Sequence, residues 1–403
     1  MMKPKLLLTI LSLFFATTFA ENAPDTANFN VIHGRAYYNA TRTPGEAPSV
    51  HRNINTPYLM YGSNYVAFGP TDVYGVVSYT SGEHTSFLAY MNSLAILGIA
   101  TKSFGFSFEF SVGEKLNFFK QRTPYYKDEI TEIVGSNANN FTFRLALPFN
   151  SIDFLGILQY SQTATDSLFT EEYADSEGKS KKEYSGHDHT IYGYAAISNK
   201  PSAKNFSWIL GASATRRIWS KDSSFKNTED PDENYKFSTK GTQNYFYAGA
   251  FYNFGVIVLR SKNARLHIGN NASVSAYIYD ILTDKQNERK DAYVRGYLTL
   301  TPHILAEYAL NDNWMFWGAT YYSWSNIAYR EKYTEFWKTR DETRNTLMSF
   351  SSKTGTPYMS TGARFSYKRI SVEAGIEAGM YNNPFRGFDG QDMIYDLSGI
   401  ITF

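Results

Sequence analysis

The chain ends on the stretch DMIYDLSGIITF, residues Asp392 to Phe403, and this stretch decides the fold. One set of alternate residues contains Tyr395, Leu397, Gly399, Ile401 and Phe403, and the other contains Asp396, Ser398 and Thr402. Successive side chains of a strand point to opposite faces, so the pattern predicts a strand with one apolar face and one largely polar face. We interpret it as the closing strand of a β-barrel that spans a membrane.

The same alternation recurs inside the chain, most clearly from Phe104 to Val112, where four phenylalanines and a valine alternate with Gly105, Ser107, Glu109 and Ser111. It returns at Phe141 to Leu147, Leu266 to Ile278 and Ile370 to Met380. These segments have about the 9 to 11 residues that a tilted transmembrane strand needs. They predict strands with one lipid-facing side and one polar side.

The connections between these segments alternate in length. Short ones are predicted at Thr101 to Lys102, Pro148 to Ser151, Lys200 to Lys204, Ser261 to Asn263, Asn311 to Asn313 and Tyr367 to Arg369. Longer polar ones are predicted at Glu114 to Asn139, Thr165 to Gly186, Lys221 to Lys240, Thr283 to Lys290, Asn326 to Gly355 and Asn382 to Gln391. Tight turns at one end and larger loops at the other are typical of membrane barrels. The sequence therefore predicts an all-β, antiparallel transmembrane barrel of about 14 strands, starting near Asp72.

Two segments leave the strand count open. A further hairpin from Asn30 to Asn39 and Tyr58 to Phe68 would raise the number to 16. The alternatives for this N-terminal stretch are a periplasmic tail or a plug in the lumen. Pro302 weakens the strand predicted from Ala292 to Leu310, since proline has no N–H to donate. A bulge there would keep an even number of strands, and a turn would not.

The first twenty residues have the features of a secretory signal peptide: Lys3 and Lys5, an apolar run from Leu6 to Phe15, and a small-residue site ending at Ala20. We therefore predict three parts: a signal peptide at residues 1–20, an N-terminal segment at 21–70 and the barrel at 71–403. Without Lys3 and Lys5, 37 basic residues face 38 acidic ones, and nothing in this balance indicates a nucleic-acid partner. The sequence contains no cysteine, which excludes a disulfide framework.

Taken together, the signal peptide, the alternating strands and the asymmetric connections resemble those of Gram-negative outer-membrane β-barrel proteins. The spacing Tyr395-x-Leu397-x-Gly399-x-Ile401-x-Phe403 resembles the signal that the barrel-assembly machinery reads. The strand count is similar to that of the long-chain fatty-acid transporter family and of monomeric 14-stranded porins. This resemblance implies export to the bacterial outer membrane, with outer-membrane lipid and the barrel-assembly machinery as partners.

Eleven charged residues fall in the register that the alternation assigns to the lumen. They are Glu109, Arg144, Arg217, Arg265, His267, Arg295, Glu307, Arg364, Glu373, Glu377 and Asp396. Such side chains could line a pore and select solutes. Alternatively, they could pair with one another and close the barrel, because buried charges need partners. A hairpin turning near Lys368 would place Arg364 beside Glu373, which favours pairing.

The longest predicted loop contains Tyr329, Tyr333, Phe336 and Trp337, which are spaced at i, i+4, i+7 and i+8. That spacing predicts an amphipathic helix with an aromatic stripe. The stripe could stack on a sugar ring or an acyl chain at the mouth of the barrel, or it could pack the loop on the rim.

No catalytic or metal-binding group stands out. His187 and His189 could point the same way on an extended segment, but the sequence identifies no third ligand. Glu373 and Glu377 would lie about 13 Å apart on one strand, too far for a carboxylate pair acting on one bond. We predict a channel or facilitator for small solutes or for hydrophobic or sugar ligands, with no enzyme activity, metal or cofactor. The alternative is a closed barrel that acts in surface binding, adhesion or secretion.

Overall fold

The computed structural model describes residues 49–69, 74–91, 94–122, 129–172, 179–199, 206–227, 235–239, 244–282, 290–337, 340–379 and 393–403. Within these residues one sheet contains seventeen strands. They are β1 (Tyr65–Gly69), β2 (Tyr74–Ser81), β3 (His84–Met91), β4 (Leu94–Ala100), β5 (Gly105–Arg122), β6 (Glu129–Pro148), β7 (Ile152–Glu172), β8 (Lys179–Asn199), β9 (Phe206–Asn227), β10 (Tyr235–Thr239), β11 (Asn244–Arg260), β12 (Ala264–Leu282), β13 (Lys290–Ala309), β14 (Trp314–Trp337), β15 (Arg340–Tyr367), β16 (Ile370–Gly379) and β17 (Met393–Thr402).

The sheet closes on itself. Apart from β10 and β11, which both pair with β9, each strand pairs antiparallel with its sequence neighbours, and β1 pairs with both β2 and β17. The short strand β10 pairs with β9 beyond the last pair that β11 makes with it, so β10 and β11 lie along the same edge of β9. The described residues therefore form a closed antiparallel barrel of sixteen strand positions. This confirms the all-β barrel, with the larger of the two predicted strand counts.

Side chains alternate between a buried inner face and an exposed outer face. On β14, Met315 and Trp317 are buried, whereas Trp314 and Phe316 are about 40% exposed. The closing strand β17 follows its predicted registers, with Leu397 outside and Asp396 and Ser398 buried inside. Apolar side chains cover the outside, as a lipid-facing surface requires.

The barrel has two parts of different height. The strands β1 to β4, here called the short wall, have 5 to 8 residues each. The strands β5 to β9 and β11 to β15, called the tall wall, have 17 to 28 residues each. Only two residues of sequence separate β3 from β4, so the short wall cannot rise further there. Eight residues tilted by about 40° rise about 20 Å, less than the usual apolar band of about 25 Å.

A short segment precedes β1 and lies inside the barrel. Helix α1 (Val50–Asn55) is capped by the Ser49 side chain, and a 3₁₀ turn (Pro57–Met60) follows it. We call residues Ser49 to Tyr61 the inner segment. The 3₁₀ turn packs against β4, β5 and β6. None of the described helices is long and apolar enough to cross a membrane.

Several predicted boundaries were wrong because the strands continue into the predicted long connections. Residues 329–337 belong to β14 rather than to an amphipathic helix, and β14 and β15 remain paired as far as Trp337 and Arg340. A hairpin can satisfy its backbone hydrogen bonds above a membrane with polar side chains on both faces, so the amphipathic pattern ends before the strand does. The predicted alternation of short and long connections also fails on the short wall, where few residues separate the strands at both ends.

The structure decides the two predictions that left the strand count open, as far as their residues are described. The second half of the proposed N-terminal hairpin supplies β1, while residues 1–48, including Asn30 to Asn39 and the signal peptide, lie outside the described residues. The strand containing Pro302 continues with unchanged register, and its pairing to β14 lapses only between Leu300 and His303. A side-chain hydrogen bond from Thr301 to Ser323 (3.4 Å) spans this break.

Candidate functional site

The predicted lumen residues with described side chains lie on the inner face of the sheet. Seven are at least nine-tenths buried: Glu109, Arg265, His267, Glu307, Arg364, Glu373 and Asp396. Arg144 and Glu377 are partly buried, and Arg217 is exposed to the lumen. Arg295 lies on β13, but its side chain is outside the described set. The inner face is thus rich in buried charge near the end where β4–β5, β6–β7, β11–β12 and β15–β16 turn, called here the short-turn end.

One buried ion pair joins β5 to β6. The Arg144 Nη2 atom lies 2.6 Å from the Glu109 Oε2 atom, and the two side chains are 11% and 9% exposed. Thr142 donates a second hydrogen bond to the Glu109 carboxylate at 3.3 Å. Because removal of one partner would leave a charge in a poorly solvated place, this pair resists separation.

A second pair joins β12 to β13. The His267 Nε2 and Glu307 Oε2 atoms lie 2.5 Å apart, and both side chains are almost fully buried. The apolar side chains Leu305 and Met315 are completely buried on the same inner face. The lumen therefore combines charged and apolar patches at this level, which suits amphipathic as well as polar contents.

The third group lies where β15, β16 and β17 meet. Arg364 is directly opposite Glu373 in the β15–β16 register, as predicted, and both are fully buried. Asp396 lies on the inner face of β17, opposite Gly375. Tyr321 donates a hydrogen bond to Glu377 at 3.2 Å. Carboxylates thus outnumber basic groups among these described inner residues of the three strands.

No pattern in the sequence marks the contact that fixes the inner segment. The Tyr58 hydroxyl donates a hydrogen bond to the Asp153 carboxylate at the start of β7. Burial, together with this hydrogen bond, raises the pKa of Tyr58, so the phenol remains protonated and remains the donor. A Cβ atom placed on Gly105 would overlap the backbone of Pro57 and Tyr58, so only glycine lets the segment approach β5 this closely.

Higher in the barrel the lumen is more open. Arg217 Nε donates a hydrogen bond to Asp188 Oδ2 at 2.6 Å, and its side chain is 49% exposed. His187 and His189 lie on the opposite, outer face of β8, and the His189 ring bonds the Tyr160 hydroxyl at 2.9 Å. Among the described residues no cluster of three or more His, Asp or Glu side chains could hold a metal ion. The side chains of Tyr329, Tyr333, Phe336 and Trp337 lie outside the described set.

No protein-family model matches the chain, and no curated protein matches its sequence. Solved structures with similar folds include the toluene transporter TodX from Pseudomonas putida (TM-score 0.38, 8% identity, 92% of this chain and 97% of that one). They also include the siderophore receptor PiuA from Acinetobacter baumannii (0.35, 8%, 85% and 81%). A third is the translocator domain of the autotransporter NalP from Neisseria meningitidis (0.29, 10%, 74% and 86%).

These similarities are too distant to define a function, and the class of protein follows from the barrel itself. A closed antiparallel sheet with an apolar outside and a charged inside is the arrangement of an outer-membrane β-barrel protein.

Proposed function

We propose that this protein is an outer-membrane channel or facilitator that lets small solutes pass through a charged lumen. The observation that carries the proposal is that charge continues along the inner face, from the buried groups of β5, β6, β12, β13 and β15 to β17 to the more exposed Arg217–Asp188 pair in the upper lumen. Charge is costly to bury, and a barrel needed only as a scaffold could fill this space with apolar residues. A lining of both signs favours polar or charged solutes.

The inner segment determines how open such a channel is at the short-turn end. Val50, Ile54 and Met60 are completely buried against the short wall, so this segment occupies lumen space beside it. The route for solutes therefore runs along the tall wall, past Arg217 and Asp188 in the upper lumen. The buried charged pairs lie below them, toward the short-turn end.

The second candidate function is a closed barrel that binds a partner at the surface or assists secretion. The packing of the inner segment favours it, because the same contacts that narrow the lumen could block it. Ion conductance separates the two candidates.

The test compares two adjacent arginines on opposite faces of β9. In planar bilayers, the refolded protein should carry an ion current that added solutes block. Arg217→Gln, on the inner face, should shift the ratio of anion to cation permeability about two- to three-fold toward cations, since lumen charges set selectivity. Arg216→Gln, on the outer face, should leave selectivity unchanged. No current from a correctly folded barrel, or equal effects of the two variants, would contradict the channel and favour the closed barrel.

A further inference from the structure

The outside of the tall wall carries an open groove of about 730 Å³. Six alanines are among the residues that line it: Ala195 on β8, Ala212 and Ala214 on β9, Ala248 and Ala250 on β11, and Ala276 on β12. They fall in two adjacent hydrogen-bonded rows, since Ala195 pairs with Ala212 and Ala212 with Ala250, while Ala214 pairs with Ala248 and Ala248 with Ala276.

The groove faces outward. Its alanines share a strand face with Leu210, Tyr252 and Val274, which are 39% to 59% exposed. The opposite face carries Tyr194 and Phe251, whose rings stack at 5.3 Å between centroids inside the barrel. The groove therefore opens toward the lipid and not into the lumen.

Large exposed side chains border the depression on its sides, with Leu158 on β7 and Leu298 on β13. A surface that faces acyl chains normally presents large apolar residues, so a depression of alanines leaves room that lipid must fill. Its volume and its apolar surface suit a flexible hydrocarbon chain.

A cationic side chain, that of Arg216, lies at the upper end of this groove. Arg216 is the next outward-facing residue after Ala214 on β9, about 7 Å further along the strand, and it is exposed. It pairs in register with Ile191, which pairs with Tyr160, a member of the aromatic row Phe141–Tyr160–His189. Aromatic rows of this kind mark the level of lipid headgroups. Arginine recognises phosphate at that level.

We propose that this groove binds a phosphorylated acyl lipid of the outer leaflet, with one acyl chain on the alanines and a headgroup phosphate at Arg216. The charge at one end and the apolar depression below it match the two halves of such a lipid. This site is separate from the lumen and does not depend on whether the barrel conducts.

Lipid A is the probe, and a diacylglycerol, which has acyl chains but no phosphate, is the comparison. Detergent-solubilised protein incubated with each lipid would be analysed by native mass spectrometry. We expect Arg216→Gln to reduce lipid A retention about five-fold, and Ala250→Leu, which fills the groove, to reduce it by a similar or larger factor. Ala374→Leu is the matched control, because Ala374 also faces outward but lies on β16, away from the groove. It should retain lipid A like the parent.

Heat-modifiable migration on gels confirms that each variant is folded. Equal retention by Arg216→Gln and the parent would overturn the proposal, and so would equal loss in Ala374→Leu. Retention of the diacylglycerol as strong as that of lipid A would overturn the headgroup assignment and with it the proposal.

Discussion

The short wall and the tall wall are built from the same antiparallel sheet but have different inner faces. On the short wall, Tyr65, Val76, Phe87 and Ile96 point inward and are almost fully buried. On the tall wall, inner positions carry charged pairs such as Glu109 with Arg144. The difference arises from what covers each face, because the inner segment packs on the short wall with Val50, Ile54 and Met60.

This contrast shows that the alternation of polar and apolar residues in a barrel depends on the contents of the lumen. A strand whose inner face meets another apolar element can be apolar on both faces, as in the sequence LAILGIA of β4. The short wall is therefore a small protein core with one face to lipid, whereas the tall wall presents charged and polar groups to the lumen.

The largest expected effect comes from placing a charge inside the short-wall core. Ile54→Asp should lower the free energy of unfolding by about 4 kcal/mol, since it removes a buried apolar side chain and buries a carboxylate without a partner. Urea titration of protein refolded into lipid vesicles, followed by tryptophan fluorescence, would measure it.

The matched variant is Thr299→Asp on the inner face of the tall wall. Thr299 is partly exposed and pairs with Ser273 and Ser325, so the new carboxylate meets hydroxyl groups and water. Thr299→Asp should lower the free energy of unfolding by less than about 1 kcal/mol. If both variants lost the same stability, the distinction between core and lining would be wrong.

The second effect separates buried from exposed charge within the tall wall. Arg144→Ala should cost about 3 kcal/mol because it leaves Glu109 buried without its ion pair. Lys181→Ala removes the exposed Lys181–Glu183 pair (2.5 Å). It should leave the free energy of unfolding unchanged, because water already solvates the Glu183 carboxylate. The same vesicle titration applies, and a large loss in Lys181→Ala would show that the upper strands contribute more stability than their exposure implies.

Much of the tall wall could be predicted from the sequence. Its apolar face must meet lipid and its polar face must meet the lumen, so apolar and polar residues alternate strictly. Phe106 on the outer face and Glu109 on the inner face are examples. The short turn between β15 and β16 and the position of Arg364 opposite Glu373 followed from the same periodicity.

Other features could not be predicted because they depend on contacts distant in sequence. The hydrogen bond from Tyr58 to Asp153 joins residues 95 positions apart, and no local pattern marks either one. The groove beside Arg216 forms only when four strands bring isolated alanines together. Residues 329–337 have helical spacing, yet pairing with β15 determines their conformation.

The smallest expected effect concerns the turns at the short-turn end of each wall. Gly82, in the β2–β3 turn of the short wall, has a φ of +60°, and nothing lies within 4 Å of an added Cβ. Gly82→Ala should therefore lower the free energy of unfolding by about 1 kcal/mol through backbone strain alone. Gly75→Ala on β2 also meets open space but has ordinary backbone angles, so it should be neutral or slightly stabilising.

The β15–β16 turn of the tall wall already holds a non-glycine residue in this conformation, since Lys368 has a φ of 53°. Lys368→Gly relieves that strain but removes the contact of its ammonium group with the Tyr367 ring, 5.2 Å from the centroid. The two effects nearly cancel, and we expect the free energy of unfolding to change by less than about 0.5 kcal/mol. A loss of more than 1 kcal/mol in Lys368→Gly, measured beside Gly82→Ala, would mean that side-chain contacts rather than backbone angles stabilise the tall-wall turn.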